Sequence, residues 1–469
     1  MLRIARQLAC DPAALHIVRT LRAHGHQAYV VGGCVRDQLL GAPPKDWDVA
    51  TSARPEQVEA LFERTIGVGR AFGVMLVLLD GQEFEVATFR GESTYSDGRH
   101  PDNVHFTDAE EDARRRDFTI NALFYDPVEQ YVLDFVAGIA DLDARVLRTV
   151  GCPEDRFAED HLRLLRAVRF AARTGFRLEA GTRLAVQRMA PKAASVSVER
   201  QADELTRMLT EGTAHPAFSL LDETGLLGHV LPEVAAFRGV EQPPPFHPEG
   251  DVWEHTLLML GHLDETIQAS LAVEGDLPLV QDGLVLLPRQ QHRIALAWAV
   301  LLHDLGKPPT ITHGDRIRFN GHDRVGAKLS SRLLRRLHRS NHLIDEVREL
   351  VARHMRFSTL PDMREAKRRL LLQDPLFLLH LSLHRTDCLG SHGKLDVYEY
   401  ALAAWQEEQR RPPVVRPPLT GHDLIALGYQ PGPRLGELLD ALRDAALEGK
   451  VDGPDQARDW LLSHHPPGQ

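Results

Sequence analysis

The chain has 469 residues, 43% of them hydrophobic, and a formal net charge of −11. That length exceeds what a single core supports, so roughly two to four domains are expected. The acidic balance speaks against a polyanion as partner for the chain as a whole, but nucleic-acid binding depends on local basic faces.

Three such faces are present: "ARRRDF" at 113–118, the arginines of 163–173, and "SSRLLRRLHRS" at 330–340. Taken alone, each is accounted for by a solvated helix face. Apolar runs such as "IALAWAVLLH" fall short of the roughly 20 residues of a membrane span. The segment "MLRIARQLACDPAAL" lacks the apolar core of a secretory signal, so a cytoplasmic location without a membrane partner is expected. Cys10, Cys34, Cys152 and Cys388 are far apart and form no CxxC pair, which argues against a disulfide framework or a zinc knuckle.

In chain order, residues 25–150 mix short β-rich runs ("AYVVGG", "VMLVLL", "FEVATF", "YVLDFV") with helical stretches, the pattern of an α/β or α+β domain. "YVVGG" reads as a buried strand ending in a turn whose glycines, Gly32 and Gly33, let backbone amides approach a ligand. Arg36 follows at the start of a helix "CVRDQLL", an arrangement suited to a triphosphate. "KDWDVAT" reads as a strand, in which Asp46 and Asp48 share one face while Trp47 enters the core. Paired carboxylates are what Mg²⁺ needs when it also bridges substrate phosphates, and Glu85 on another β-run could complete the cluster. An ordinary strand with exposed acids explains either element equally well.

Strands are expected to stop near Gly151. Helical periodicity then runs to about residue 235, and the prolines of "EQPPPFHPEGD" at 241–251 break the chain. On a helix at about 100° per residue, Arg163, Arg166, Arg169 and Arg173 fall in one arc opposite Leu164, Leu165 and Val168. A histidine-rich helical block reaches about residue 409, where "RRPPVVRPP" makes a stiff linker before a last helical segment. The domains expected are thus 1–150, 151–240, 241–409 and 410–469.

"GGCVRDQLLG…KDWDVAT", "RRRDFTINALFYD" and "EDHLRLLRAVRFAARTGF", in this order and spacing, resemble the class II tRNA nucleotidyltransferases, that is, the CCA-adding enzymes, and the related bacterial poly(A) polymerases. The resemblance covers residues 25 to about 230. It implies a polymerase-β-like α/β nucleotidyltransferase head followed by all-α neck, HD and tail domains. It also implies CMP and AMP transfer from CTP and ATP to the tRNA 3′ end without a nucleic-acid template. Asp46 and Asp48 match Mg²⁺ ligands, and Gly33, Arg36 and Arg116 match nucleotide contacts. Asp117 and Asn121 would order the sugar pocket. Asp160 and Arg163 match the pair that reads the base edge, and Arg166 and Arg169 match further nucleotide contacts. An acceptor-only carboxylate beside a forked donor can address a cytosine or adenine edge by hydrogen bonding alone. The loop over 90–112 occupies the place that helps switch specificity from C to A in this family.

Downstream, His255, His303–Asp304 and Asp387 occur in the order H…HD…D, which resembles an HD-type metal-dependent phosphohydrolase; His322 and His354 would build a second metal position or support the first. Imidazoles and carboxylates suit a divalent transition metal that lowers the pKa of a bound water. The tail resembles a segment that grips tRNA. The alternatives are a poly(A) polymerase, a CC-only or A-only enzyme, or an HD phosphohydrolase whose head merely binds RNA.

Overall fold

Among the described residues, ten strands lie between residues 1 and 134: β1 (Leu2–Ala5), β2 (Ala28–Val31), β3 (Asp48–Thr51), β4 (Thr65–Gly69), β5 (Val74–Leu79), β6 (Gln82–Thr88), β7 (Arg90–Glu92), β8 (Val104–Phe106), β9 (Leu123–Asp126) and β10 (Tyr131–Asp134). The computed structural model describes residues 1–92, 104–411 and 417–467. Most of the expected specificity loop, residues 93–103, and the middle of the proline linker, 412–416, lie outside the described residues.

Eight of the strands form one sheet in the order β1-β10-β9-β2-β3-β6-β5-β4, and β7 pairs with β8 as a separate ribbon. Every neighbouring pair in the large sheet is antiparallel except β3 and β6, which run parallel. β6 alternates buried Phe84 and Val86 with exposed Glu83 and Glu85, so one face packs while the other is wet. Behind the sheet, Val31, Ala50, Phe89, Phe124 and Leu133 form a common core.

Two local readings are corrected. The strand of "KDWDVAT" begins only at Asp48, which pairs with Val31, the last residue of β2. Pro43 and Pro44 precede it and β2 has ended, so Asp46 lies ahead of the strand and Trp47 is half-buried instead of entering the core. Strands also do not stop at residue 151: Arg177–Leu178 pairs in parallel with Val146–Leu147, and Leu279–Gln281 forms a hairpin with Leu284–Leu286. Asp282 and Gly283 form the hairpin's two-residue turn with φ of 51° and 76°, the left-handed pair that an Asp-Gly turn supplies. Apart from these short pairs, the head is α/β and the chain beyond it is helical.

The chain forms two compact units, one of residues 1–208 and 216–232, the other of 209–215 and 233–469. In the first, "EDHLRLLRAVRF" is two helices, Pro153–Glu159 and Leu162–Thr174, with Asp160 extended between them (φ −147°, ψ 106°). In the second, the helix Gln290–Leu302 is buried on all sides from Ala295 to Leu302, which makes it the centre around which its neighbours pack. The helices Gly421–Ala426, Pro433–Leu447 and Gly453–His464 share a small core of Leu424, Leu438, Leu442 and Leu461.

Candidate active sites

At the end of β2 the chain turns at Gly32 with φ +80°, and a Cβ there would meet Arg116 Nη1 at 3.2 Å, so only glycine fits. Gly33 opens the helix Gly33–Leu39, which carries Arg36 into a fully buried position. Arg36 pairs with Asp37 at 2.6 Å and donates from Nη1 to Asn121 Oδ1. The β3–β6 register sets Val49 opposite Val86, so Asp48 and Glu85, one residue earlier on each strand, are neighbours. With Asp46 they line one wall of a cavity of about 600 Å³. Burial, then the charges of Glu85 and Asp46, push Asp48 up to about 7 against the pull of Arg116. Three carboxylates this crowded hold a proton unless a cation relieves them, and their all-oxygen donor set fits Mg²⁺.

The opposite wall is cationic. Arg116, Arg163, Arg166, Arg169, Arg173 and Arg200 line the same cavity, with Asp117, Asn121 and Asp160. Each arginine of the Leu162–Thr174 helix is already engaged: Arg163 with Glu159, Arg166 with Asp117 at 2.7 Å, Arg169 with Glu204 at 2.5 Å and Arg173 with Asp37 at 3.1 Å. Arg169 is buried by its Glu204 pair, unlike the solvent-facing member that an arginine arc suggests. Burial alone would raise Asp117, but the Arg166 ion pair and its hydrogen bonds outweigh it and hold the carboxyl at about 2. Asp117 Oδ1 also accepts from Asn121 at 3.2 Å. Asp160 accepts from Arg200 at 2.7 Å and 3.1 Å and from the Leu162 amide. The structure therefore brings all the head and neck candidates into one cavity. It adds Arg200 to the lining and places Glu204 behind Arg169; the two share the helix Val198–Thr210 as an i,i+4 Arg–Glu pair.

In the second unit four histidines converge. His303, His322 and His354 each turn Nδ1 to a backbone carbonyl, of Val300 (2.9 Å), Phe319 (2.8 Å) and Val351 (2.7 Å). That pins the Nδ1–H tautomer and turns Nε2 inward. His255 Nδ1 meets the Gly390 carbonyl at 3.1 Å and also Glu249 Oε1 at 2.8 Å, which in turn meets His247 Nδ1 at 2.8 Å. Among the described residues the buried Nε2 atoms of His255 and His303 find no well-aligned hydrogen-bond partner; they face Asp387 Oδ1 at 3.3 Å and Asp304 Oδ2 at 3.1 Å. Donor atoms of His255, His303 and Asp387 lie within 4.8 Å of one another, as do those of Asp304, His322 and His354. Asp304 thus adjoins both groups, and Lys307 caps its Oδ2 at 2.7 Å.

Electrostatics favour a cation here. Burial opposes the His255 imidazolium, but Asp387, Glu249 and Asp304 outweigh it and raise the ring to about 9. Burial and the neighbouring His303 push His354 down to about 4, which keeps it a neutral ligand. Orphaned inward Nε2 atoms, a neutral His354 and low-lying carboxylates that already favour positive charge at His255 fit a divalent metal. His247 and Glu249 come from the proline-rich stretch at 241–251 that reads only as a break in the chain, and the sequence reasoning missed both. A cavity of about 540 Å³ opens on the cluster, walled by Phe246, Phe319, Arg316 and Arg318.

Three family models match: the poly A polymerase head domain over residues 28–148, the "probable RNA and SrmB- binding site of polymerase A" over 175–238, and the HD domain over 252–381. The CCA-adding enzyme of Enterococcus faecalis is 32% identical over 445 residues, 94% of this chain and 93% of that one. The chain belongs to the CCA-adding enzyme family of tRNA nucleotidyltransferases. The match to the Bacillus velezensis CCA-adding enzyme, 42% identical over 268 residues, covers 55% of this chain and 66% of that protein. Matches to several other Bacillus and Geobacillus members of the family span about half of those proteins. The crystal structure of the Bacillus stearothermophilus CCA-adding enzyme in complex with CTP superposes with a TM-score of 0.67 at 28% identity, over 97% of this chain and 98% of that one. No helix among the described residues is long and apolar enough to cross a membrane.

Proposed function

We propose that the first unit transfers CMP and AMP from CTP and ATP to the 3′ end of tRNA in the cytoplasm, building or repairing CCA. A head (1–150) supplies the reaction site and a neck (151–240) the base recognition, with an HD domain (241–409) and a tail (410–469) that contacts tRNA. The observation that carries this reading is one cavity with a carboxylate wall, an arginine wall, and Asp160 with Arg163 at its rim. Asp46, Asp48 and Glu85 would hold Mg²⁺, which supplies charge neutralisation at the reacting phosphate and activation of the attacking hydroxyl. The 3′-oxygen forms its bond to the α-phosphorus, the bond to the β-phosphate oxygen breaks, and the hydroxyl proton is lost. Arg36 and Arg116 stabilise the triphosphate and the departing pyrophosphate. Arg166, Arg169 and Asn121 orient the nucleotide by keeping Asp117 and the helix Leu162–Thr174 in place. Asp160 and Arg163 present an acceptor and a forked donor to the base edge.

The test is incubation of tRNA lacking CCA with CTP and ATP separately and together, with products resolved to one nucleotide. Two C followed by one A is expected. A ladder of A without C would overturn the reading in favour of a poly(A) polymerase, and arrest after CC or A addition to CC alone would narrow it. Loss of base discrimination in Arg163→Ala, on the order of 1–3 kcal/mol per lost contact, checks the base-reading role.

A second reading is favoured by the inward Nε2 atoms of the histidine cluster. In this reading the HD domain is a phosphohydrolase in which His255, His303, Asp304 and Asp387 would hold a divalent transition metal, with His322 and His354 at a second position, and the metal would supply an activated water. His303→Ala with Asp304→Ala removes that activity and leaves nucleotide addition intact.

A further inference from the structure

The helix His322–Arg336 carries cations of a different kind from those of the transferase cavity. Arg324, Lys328, Arg332 and Arg335 are all exposed. None of the four makes a side-chain hydrogen bond or an ion pair among the described residues, whereas Arg336 on the next flank pairs with Glu233 at 2.8 Å. At about 100° per residue the four fall within an arc of about 80°, and at about 1.5 Å per residue they span about 16 Å. The other side of the helix is buried through Ala327, Ser330, Leu333 and Leu334. Like charges three and four residues apart on a helix repel one another, so the row destabilises the helix that carries it. In a chain of net charge −11, an unneutralised cationic row of this length calls for a polyanion.

We propose that this row docks the phosphate backbone of an RNA, and, resting on the transferase assignment of the first unit, that the RNA is the tRNA whose 3′ end the chain serves. Phosphate is the chemistry the row fits: evenly spaced point charges and forks, with no aromatic platform for bases. A membrane surface fits poorly, because such a helix needs an exposed apolar face beside its basic one, and no large apolar side chain of this helix is exposed. The row begins two residues after His322, whose ring belongs to the metal-ligating cluster, so a strand lying along it ends at the mouth of the second cavity.

The experiment uses the full chain and a tRNA transcript lacking CCA, with binding followed by fluorescence anisotropy across a salt series. Arg332→Gln with Arg335→Gln should weaken binding about tenfold near physiological salt. It should also lower the slope of log affinity against log salt by about 1.4–1.8, the value for two lost phosphate contacts. Arg332→Lys with Arg335→Lys keeps both charges and should retain affinity and slope. Arg324→Gln with Lys328→Gln repeats the test on the other half of the row and decides the matter if the first pair fails to fold. Parental affinity and slope in the glutamine variants would overturn the proposal while leaving nucleotide addition standing. No tRNA binding by the parent would instead defeat the tRNA assignment itself. Binding to vesicles of phosphatidylserine and phosphatidylcholine that the glutamine variants lose, with tRNA affinity unchanged, would overturn it in favour of a membrane surface.

Discussion

The two cavities solve opposite electrostatic problems. In the transferase cavity the cations come ready paired: Arg163 with Glu159, Arg166 with Asp117, Arg169 with Glu204. An incoming anion therefore meets guanidinium groups whose rotamers are already set, and the uncompensated charge is the carboxylate trio around Asp48. In the histidine cluster the backbone carbonyls hold the rings from behind, and the inward Nε2 atoms of His255 and His303 are left without a well-aligned hydrogen-bond partner among the described residues. One cavity is organised by ion pairs between side chains and the other by side chains fixed to main chain. Substitutions should accordingly break them in different ways.

The largest effect is expected at the carboxylates. Asp46→Ala or Asp48→Ala removes a ligand for the cation that the trio requires, and incorporation of both CMP and AMP should fall by about 10³-fold or more, equivalent to roughly 4 kcal/mol. Thermal melting should stay at the parental value or rise, because Asp46 is exposed and the crowding that pushes the Asp48 carboxyl up to about 7 is relieved when either acid is removed. Near-normal incorporation by either variant would refute the assignment of this wall.

Smaller, and confined to the other cavity, is the effect of Glu249→Gln. Glu249 accepts from His255 Nδ1 at 2.8 Å beside the Gly390 carbonyl at 3.1 Å, and so adds a carboxylate to the carbonyl support that the other three histidines have. Carboxylate partners of metal-ligating histidines are typically worth about 10–100-fold in metal affinity. Calorimetric titration with Mn²⁺ should show a loss in that range, with nucleotide addition unchanged. Equal Mn²⁺ affinity in variant and parent would reduce Glu249 to a packing residue.

The smallest effect separates a buried histidine outside the cluster from those within it. His380 is buried and neither ring nitrogen has a hydrogen-bond partner among the described residues. Burial, with Arg353 and Arg356 nearby and Asp374 opposing, pulls its pKa down from 6.5 to about 4. The folded ring thus binds its proton more weakly than the unfolded one, so its contribution is complete above about pH 6.5 and is lost as pH falls toward 4. Between pH 7.5 and 5.5 the parent should lose about 1 kcal/mol more stability than His380→Leu, read from urea midpoints at the two pH values. Identical pH dependence in the two proteins would show that His380 takes up no proton penalty.

The features legible in the chain alone are local. The apolar run into Gly32 and Gly33, the alternation of β6, the HD doublet and the leucine–arginine periodicity of 162–174 each arise from neighbouring residues, because strand and helix periods repeat within a few positions. Those regularities were enough to mark both constellations and to point to the family. The tertiary structure decided the partners. Arg200 reaches Asp160 across 40 residues, Arg169 reaches Glu204 across 35, and Arg173 reaches Asp37 across 136. The break at Asp160, the start of β3 at Asp48 and the arrival of Glu249 behind His255 likewise depend on where another element ends or packs. A side chain's periodicity is written in its own segment, but its charge is balanced by whichever group the fold brings within about 3 Å, and no short-range pattern encodes that group.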